Sequence, residues 1–187
     1  MRIAPLEPPY EPKVDDQLRS MMPAGVEPIA LFRTLAKNPS MARASQGWAR
    51  HELGRSLSVG VREREIVIDR TCARCGCEYE WGVHVAFFAE RAALSPEQVA
   101  SLAHGDHRDP CWETGRDRLL IRLVDALHDE NDVDDELWAE LAAELTEAQI
   151  LDLLLLCGWY HAISFTARAA RVPLEPWAPT FAGVAPG

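Results

Sequence analysis

The stretch EREIVIDRTCARCGCEYEWGVHVAFFAE, residues 63–90, has the most distinctive composition in the chain. It contains three of the five cysteines, Cys72, Cys75 and Cys77, and it also contains His84. No other part of the sequence places thiols, carboxylates and an imidazole so close together. We therefore expect the functional site in this stretch.

Two helices joined by a tight turn are predicted here. The first spans about 61–71, with Ile66 among its buried apolar residues and Arg64 facing outward. The turn is expected at 74–76, where a glycine tolerates unusual backbone angles. The second helix is predicted over 77–92.

Helical spacing gathers the reactive side chains on two faces. Residues three, four and seven positions apart share one face of a helix. On the second helix these offsets select Cys77, Glu80, Trp81 and His84; on the first, they select Glu65 and Cys72. If the turn folds the helices together, these faces meet in one pocket.

Four uses of such a pocket are open from the residues alone. A thiolate at Cys77, favoured by the start of a helix, could attack a peroxide or a disulfide while His84 takes a proton. Glu65, Glu80 and His84 could instead move protons on a carbonyl compound. A zinc site would use Cys72, Cys75, Cys77 and His84. Finally, the cysteines could be buried structural residues beside a Glu65–His84 pair.

The remaining chain predicts an all-α protein. Apolar residues recur at helical spacing over 27–37, 40–51, 113–129, 134–145 and 146–171, and Ser95 and Pro96 begin a further helix. Prolines predict an extended arm over 1–26 and an extended tail over 174–187, which leaves a helical domain over 27–173. The last helix is apolar on several sides, so it is expected at the centre or at a subunit interface.

Composition limits the possible partners. The net charge of −10 argues against nucleic acid and anionic membranes as partners. The N-terminus lacks the apolar region of a signal peptide, and the longest apolar run, 153–160, is too short to span a bilayer. We expect a cytoplasmic protein that acts on a small molecule.

Several segments resemble the carboxymuconolactone decarboxylase/AhpD-like family. The motifs are REREIVI at 62–68 and YEWGVH at 79–84. Further similarity lies in 27–40, 123–128 and 146–160, so that the resemblance covers about 27–173. It implies an all-helical AhpD-like bundle that assembles into dimers, trimers or hexamers, with the catalytic helix pair near subunit contacts.

The resemblance also implies roles for individual residues. The family's peroxidase branch, alkylhydroperoxidase D, uses a glutamate and then C-x-x-C-x-x-x-H, which fall on Glu65, Cys77 and His84. The second cysteine of that motif, which attacks the peroxide, is replaced here by Glu80. The YEWGVH form is more typical of the decarboxylase-like branch.

Three functions follow as expectations. The thiol cluster favours a peroxiredoxin-type antioxidant activity on a hydroperoxide, or a disulfide reductase, with Cys72 or Cys75 resolving Cys77. Glu80 favours a lyase, decarboxylase or isomerase acting on a small lactone or carbonyl substrate. A non-catalytic oligomeric binding protein is the third. We favour the thiol chemistry and expect neither cofactor nor metal. Tyr79 and Trp81 are candidate pocket residues, and Trp48 and Tyr160 are further candidates; for Trp48, Trp81 and Tyr160 packing in the core is the commoner role.

Overall fold

The computed structural model describes residues 1–184, and within them all regular structure is helical, as predicted. The α-helices are α1 Pro12–Ser20, α2 Ala30–Leu35, α3 Pro39–Glu52, α4 Val61–Arg74, α5 Glu78–Phe88, α6 Pro96–His104, α7 Gly115–Glu130, α8 Asp135–Glu144 and α9 Glu147–Ala170. A 3₁₀ turn follows at Phe181–Gly183. This architecture is consistent with an AhpD-like bundle.

Helix α4 is the centre of the molecule. It packs against α5, α6, α7 and α9, and every residue from 64 to 72 is buried. A helix covered on all sides needs no polar face, which explains why its Ile66–Ile68 run is β-branched and apolar. The prediction that Arg64 faces outward is wrong: only 5% of its surface is exposed, because the side chain pairs with Glu65.

The turn between α4 and α5 folds the two helices together. Gly76 adopts a left-handed φ of 63°, and the Cys77 N–H donates to the Cys72 carbonyl at 2.8 Å. This arrangement satisfies a carbonyl that the end of α4 would otherwise leave free. Helix α4 continues to Arg74, beyond the predicted end, while α5 ends at Phe88 instead of residue 92.

Side-chain caps fix the starts of the later helices. Ser95 and Gln98 form a capping box at α6, and Thr146 and Gln149 form one at α9. Each cap satisfies backbone N–H groups that have no partner inside the helix. The predicted start at Ser95–Pro96 is confirmed.

The predicted extended arm over 1–26 is wrong for its second part, since Pro12–Ser20 is helical. Pro12 stands in the first turn, where a proline removes no helical hydrogen bond. The fully buried Leu18 secures this helix on the body of the protein. Helix α2 is shorter than the predicted 27–37 helix, because Ile29 remains extended as its N-cap.

Helix α9 has one buried face and one exposed apolar face. Leu153, Leu156 and Tyr160 are in the core, whereas Leu155 and Phe165 are 53% and 65% exposed. Its length and composition would allow it to cross a membrane. That observation carries little weight, because core helices of soluble proteins have the same properties.

Candidate active site

A buried relay joins three side chains of α4 and α5. His84 Nδ1 lies 2.8 Å from Glu65 Oε2, and Arg64 Nε donates to Glu65 Oε1 at 2.5 Å. Glu65 is fully buried, and His84 is 3% exposed. The predicted meeting of the two helix faces is therefore observed for this pair, and Arg64 supplies the charge that a buried carboxylate requires.

The partners of the imidazole indicate its tautomer. A carboxylate can only accept a hydrogen bond, so Nδ1 carries the proton that it shares with Glu65. This leaves the lone pair on Nε2, which lies 3.0 Å from the hydroxyl of Tyr160 on α9. Tyr160 donates this hydrogen bond, and its ring stands edge-on to the imidazole. Nε2 therefore keeps its lone pair and can accept a proton once a substrate displaces the Tyr160 hydroxyl.

Glu80 lies beside the same nitrogen. Its Oε1 is 3.7 Å from His84 Nε2, and its buried Oε2 has no hydrogen-bond partner. Burial raises the pKa of Glu80 above its ordinary value; the Glu65 charge adds to this effect and His84 opposes it. Glu80 is thus a carboxyl group that can retain a proton next to a base.

Glu80, His84 and Tyr160 form one polar end of a mostly apolar cavity of about 380 Å³, and Ser20, Ser45, Gln46 and Arg50 also line it. Its apolar wall comes from α2, α3, α5, α9 and the segment after α1, and includes Met21, Leu31, Phe32, Leu35, Val83, Phe88, Trp159 and Ile163. A cavity with apolar walls and a few convergent polar groups is typical of a small-molecule site.

A second cavity is larger but lacks this chemistry. Its volume is about 560 Å³, and its lining residues include Glu7, Arg33, Glu175 and Trp177 near the two chain ends. No residue of the relay lines it. We therefore place the candidate site in the smaller cavity, where a base and an unpartnered carboxyl oxygen face apolar walls.

The thiols are separate from that cavity. Cys72 and Cys77 are buried and do not line it, and both are free. Burial raises the pKa of Cys77 to about 11 and that of Cys72 well above its usual range. The expected thiolate at Cys77 is not favoured, because desolvation outweighs the effect of the helix start.

Cys75 points elsewhere, and the predicted zinc ligands do not converge. The Cys75 Sγ lies 3.9 Å from His128 Nδ1 on α7. Among the described residues, Cys75 has its potential ligand atom grouped within 4.8 Å with those of His128 and His161, and not with those of Cys72, Cys77 or His84.

The two aromatic residues of α5 predicted to line the pocket have structural roles. The Tyr79 hydroxyl donates to Glu175 Oε1 at 2.8 Å and accepts from the Leu31 N–H at 2.9 Å. Trp81 is fully buried and its ring packs on Phe181, with centroids 4.9 Å apart. Neither residue lines the cavity that contains His84.

Two contributors to the site were not assigned their roles from the sequence. Arg64 precedes Glu65 directly, and adjacent helical residues do not share a face, so spacing gave no signal for their pairing. Tyr160 was a candidate to line the pocket, but its hydrogen bond to His84 joins two residues that are 76 positions apart in the chain. Only the packing of α9 on α4 and α5 brings it there.

Comparison with known proteins identifies a shared fold. A scan against protein-family models finds no match, and a search of curated proteins finds none either. The fold is similar to that of a cysteine-to-alanine variant of the debrominase Bmp8, whose structure was solved in complex with 2,3,4-tribromopyrrole. The TM-score is 0.72 and the sequence identity is 17%, and the match covers 95% of this chain and 93% of that one. It is similarly close to apo Bmp8, with a TM-score of 0.71 and 18% identity over 94% and 92% of the two chains. At this identity the likeness shows a common fold.

Proposed function

We propose that the protein is an enzyme of the carboxymuconolactone decarboxylase/AhpD-like type that catalyses acid–base chemistry on a small carbonyl or lactone compound. The observation that carries this proposal is the cavity itself: His84 and Glu80 line it, whereas Cys72 and Cys77 do not. Glu80 and His84 are the proposed catalytic residues. Glu65, Arg64 and Tyr160 are the proposed positioning residues.

The proposed step is proton abstraction next to a carbonyl. His84 Nε2 takes the proton from the carbon, and the electron pair of the C–H bond moves onto the carbonyl oxygen to give an enolate. Protonated Glu80 stabilises this oxygen by donating a hydrogen bond or its proton. Return of the proton to another carbon gives an isomer. In a decarboxylation the bond to the carboxylate breaks in place of the C–H bond: CO₂ leaves, the electron pair moves onto the carbonyl oxygen to give the enolate, and protonation of the carbon gives the product.

The cavity walls support an apolar substrate of modest size. Its volume of about 380 Å³ lies at the lower end of ordinary ligand pockets. The neighbour Bmp8 has been captured with a brominated pyrrole, which is also a small, largely apolar ring. We propose a compact lactone or cyclic carbonyl compound as the substrate class.

Thiol redox chemistry is the second candidate. It is favoured by the position of Cys72, Cys75 and Cys77 at the turn between α4 and α5, and by the cysteine variant of Bmp8. Mapping the thiols after a sub-stoichiometric organic hydroperoxide tests it. Rapid loss of free Cys77 with linkage to Cys72 or Cys75 would favour this candidate, and inert thiols would exclude it.

We also propose a cytoplasmic homo-oligomer whose family domain covers 27–173. The support for assembly is the exposed apolar side of α9, which carries Leu151, Leu155 and Phe165. These residues follow helical spacing along one side of the helix. Such a stripe is typical of a helix that packs against another subunit.

Deuterium exchange tests the proposed chemistry without knowledge of the product. The protein is incubated in D₂O with a panel of small enolisable lactones and cyclic ketones, and exchange at the α-carbon is followed by NMR. We expect one or more compounds to exchange faster with the wild type than with His84→Gln, by about 100-fold or more.

A matched control separates the base from general effects of mutation. His107→Gln changes a loop histidine that does not line the cavity, and it should exchange at the wild-type rate. Equal exchange by wild type and His84→Gln on every accepted compound would contradict the proposal.

A further inference from the structure

A second group of reactive side chains lies outside the candidate active site. Cys75 at the end of α4, His128 on α7 and His161 on α9 bring one sulfur and two ring nitrogens within 4.8 Å of one another. Their positions in the sequence do not group them, since they come from three separate helices. We refer to them as the Cys75–His128–His161 cluster.

The distances are close to those of a bound transition metal. His128 Nδ1 lies 3.1 Å from His161 Nε2 and 3.9 Å from Cys75 Sγ. With metal–nitrogen bonds of about 2.0 Å and metal–sulfur bonds of about 2.3 Å, a tetrahedral ion separates two nitrogens by roughly 3.3 Å and a nitrogen from a sulfur by roughly 3.6 Å. Shifts of a few tenths of an ångström would suffice for these two pairs, and the third pair, Cys75 and His161, lies within 4.8 Å.

The orientation of His161 is already that of a ligand. Its Nδ1–H donates to the backbone carbonyl of Cys157 at 2.9 Å, one turn earlier in α9. This bond fixes the proton on Nδ1 and leaves the lone pair on Nε2, the nitrogen that faces His128. Metal-binding histidines usually hold their second nitrogen in this way.

Two guanidinium groups lie near the cluster, and both have other hydrogen-bond partners. Arg74 is the nearest cation on α4, but its guanidinium pairs with Asp125 and Asp129. Arg168 donates to the Cys75 carbonyl at 2.5 Å, which fixes the turn that carries the cysteine. Half-buried His128 and His161 leave the cluster at the surface, where water can complete the coordination.

We propose that the Cys75–His128–His161 cluster binds a divalent transition-metal ion, with Zn²⁺ as the favoured ion. One thiolate and two neutral imidazoles are ligands that suit zinc, and water supplies the fourth position. The ion would join α4, α7 and α9 at one point. Cys75 would then be unavailable as a resolving thiol for Cys77.

Cobalt titration tests the proposal, with no need for a substrate. Co²⁺ is added to protein first treated with a chelator and a reductant. We expect a sulfur-to-cobalt charge-transfer band together with d–d bands, saturating at one ion per chain and lost on addition of Zn²⁺. Zn²⁺ should also raise the melting temperature, because it binds the folded state.

Variants assign the signal to these ligands. Cys75→Ser should lose the charge-transfer band, and His128→Gln and His161→Gln should each weaken cobalt binding by at least about tenfold. Cys111→Ser and His107→Gln are matched controls outside the cluster and should bind like the wild type. Circular dichroism checks that each variant is folded.

Two results would overturn the metal site. One is the absence of both the cobalt bands and the zinc-induced rise in melting temperature in the wild-type protein. The other is a charge-transfer band that persists in folded Cys75→Ser or disappears in Cys111→Ser. Neither result bears on His84, so the proposed acid–base function stands or falls separately.

Discussion

Glu65 orients the proposed base, and its replacement gives the sharpest test at the scale of a residue. In Glu65→Gln the amide can donate to His84 Nδ1, which would move the imidazole proton to Nε2 and remove the lone pair from the cavity side. We expect the exchange rate to fall by about 100-fold or more, as when a histidine is held in the wrong tautomer. NMR exchange measured on folded protein checks this.

Glu90→Gln is the matched control for that change, since Glu90 is an exposed glutamate near the end of the same helix pair. It should leave the rate unchanged. A Glu65→Gln protein with the wild-type rate would show that the orientation of His84 does not matter to the reaction.

The raised pKa of Glu80 predicts that the catalytic rate depends on pH. Its pKa is raised by burial, so its protonated form persists above the usual range of about 4.3. If it acts as the acid, kcat/KM should decline as pH rises through this raised pKa. Glu80→Gln keeps a neutral donor and should lose that decline, which a pH profile of both proteins measures. An unchanged profile in the variant would exclude Glu80 as the acid.

Asp69 predicts a pH dependence of stability. It is 1% exposed, neither carboxyl oxygen has a partner, and burial followed by the Glu65 charge raises its pKa well above the ordinary value. The folded state therefore favours protonated Asp69. The contribution of protonated Asp69 to the free energy of unfolding is fully present below its pKa in the unfolded state, about 3.9. It is lost as pH rises through the pKa of Asp69 in the folded state.

Replacing Asp69 should remove this loss. We expect Asp69→Asn to gain melting temperature relative to the wild type more at about pH 8 than at about pH 5. Asp16→Asn, which alters an exposed carboxylate on α1, is the control and should show no such trend. A difference that does not change with pH would mean that Asp69 is already ionised in the folded protein.

The sequence allowed part of the site to be predicted, for a geometric reason. Glu65 and His84 lie on two consecutive helices, so helical spacing and a single turn suffice to bring them together. The same spacing placed Cys77 beside them, but it could not reveal that Cys77 would be buried away from the cavity. The Tyr160 contact depends on long-range packing, which spacing does not specify.

At the scale of the helices, the exposed side of α9 predicts assembly. Leu155 is 53% exposed on this side, and its replacement by glutamate should break a subunit contact without opening the core. We expect Leu155→Glu to lower the molar mass measured by light scattering after size-exclusion chromatography. Leu174→Glu changes an exposed leucine outside α9 and should leave the mass unaltered.

The masses of these two variants show whether the subunit contact lies on α9 or elsewhere. If Leu155→Glu and the wild type have the same mass and both are oligomers, the contact lies on another surface. Helix capping residues made α9 predictable, but the exposure of one apolar side could only be seen once its opposite side was packed on α4.

At the scale of the whole molecule, the C-terminal tail packs against α5. The sequence did not predict this contact with the helical domain. Glu175 accepts hydrogen bonds from the Ala30 N–H at 2.6 Å and from Tyr79 at 2.8 Å. The Phe181 N–H donates to Glu78 at 2.7 Å. Proline content predicted an extended tail over 174–187 but not these partners, and residues 185–187 lie outside the described part of the chain.

Gly82 on α5 makes this closure possible. A Cβ at this position would stand 2.4 Å from the Pro179 carbonyl oxygen, so Gly82→Ala must displace the tail or the helix. We expect a loss of about 1–3 kcal/mol in the free energy of unfolding and faster proteolysis of the tail. Urea unfolding and limited proteolysis measure the two effects.

Gly47→Ala is the matched control, because nothing lies within 4 Å of a Cβ at that position in α3. It should stabilise the protein by about 0.5–1 kcal/mol, as alanine does in a helix. A Gly82→Ala protein as stable as the wild type, with an equally resistant tail, would contradict the close contact.

The most direct test of the central claim compares Cys77→Ser with His84→Gln on one compound that the wild type exchanges in D₂O. The claim is that His84 acts in the cavity and the buried thiols do not. It predicts that Cys77→Ser retains most of the wild-type rate while His84→Gln loses about 100-fold or more. A rate that collapses in Cys77→Ser and survives in His84→Gln would contradict it.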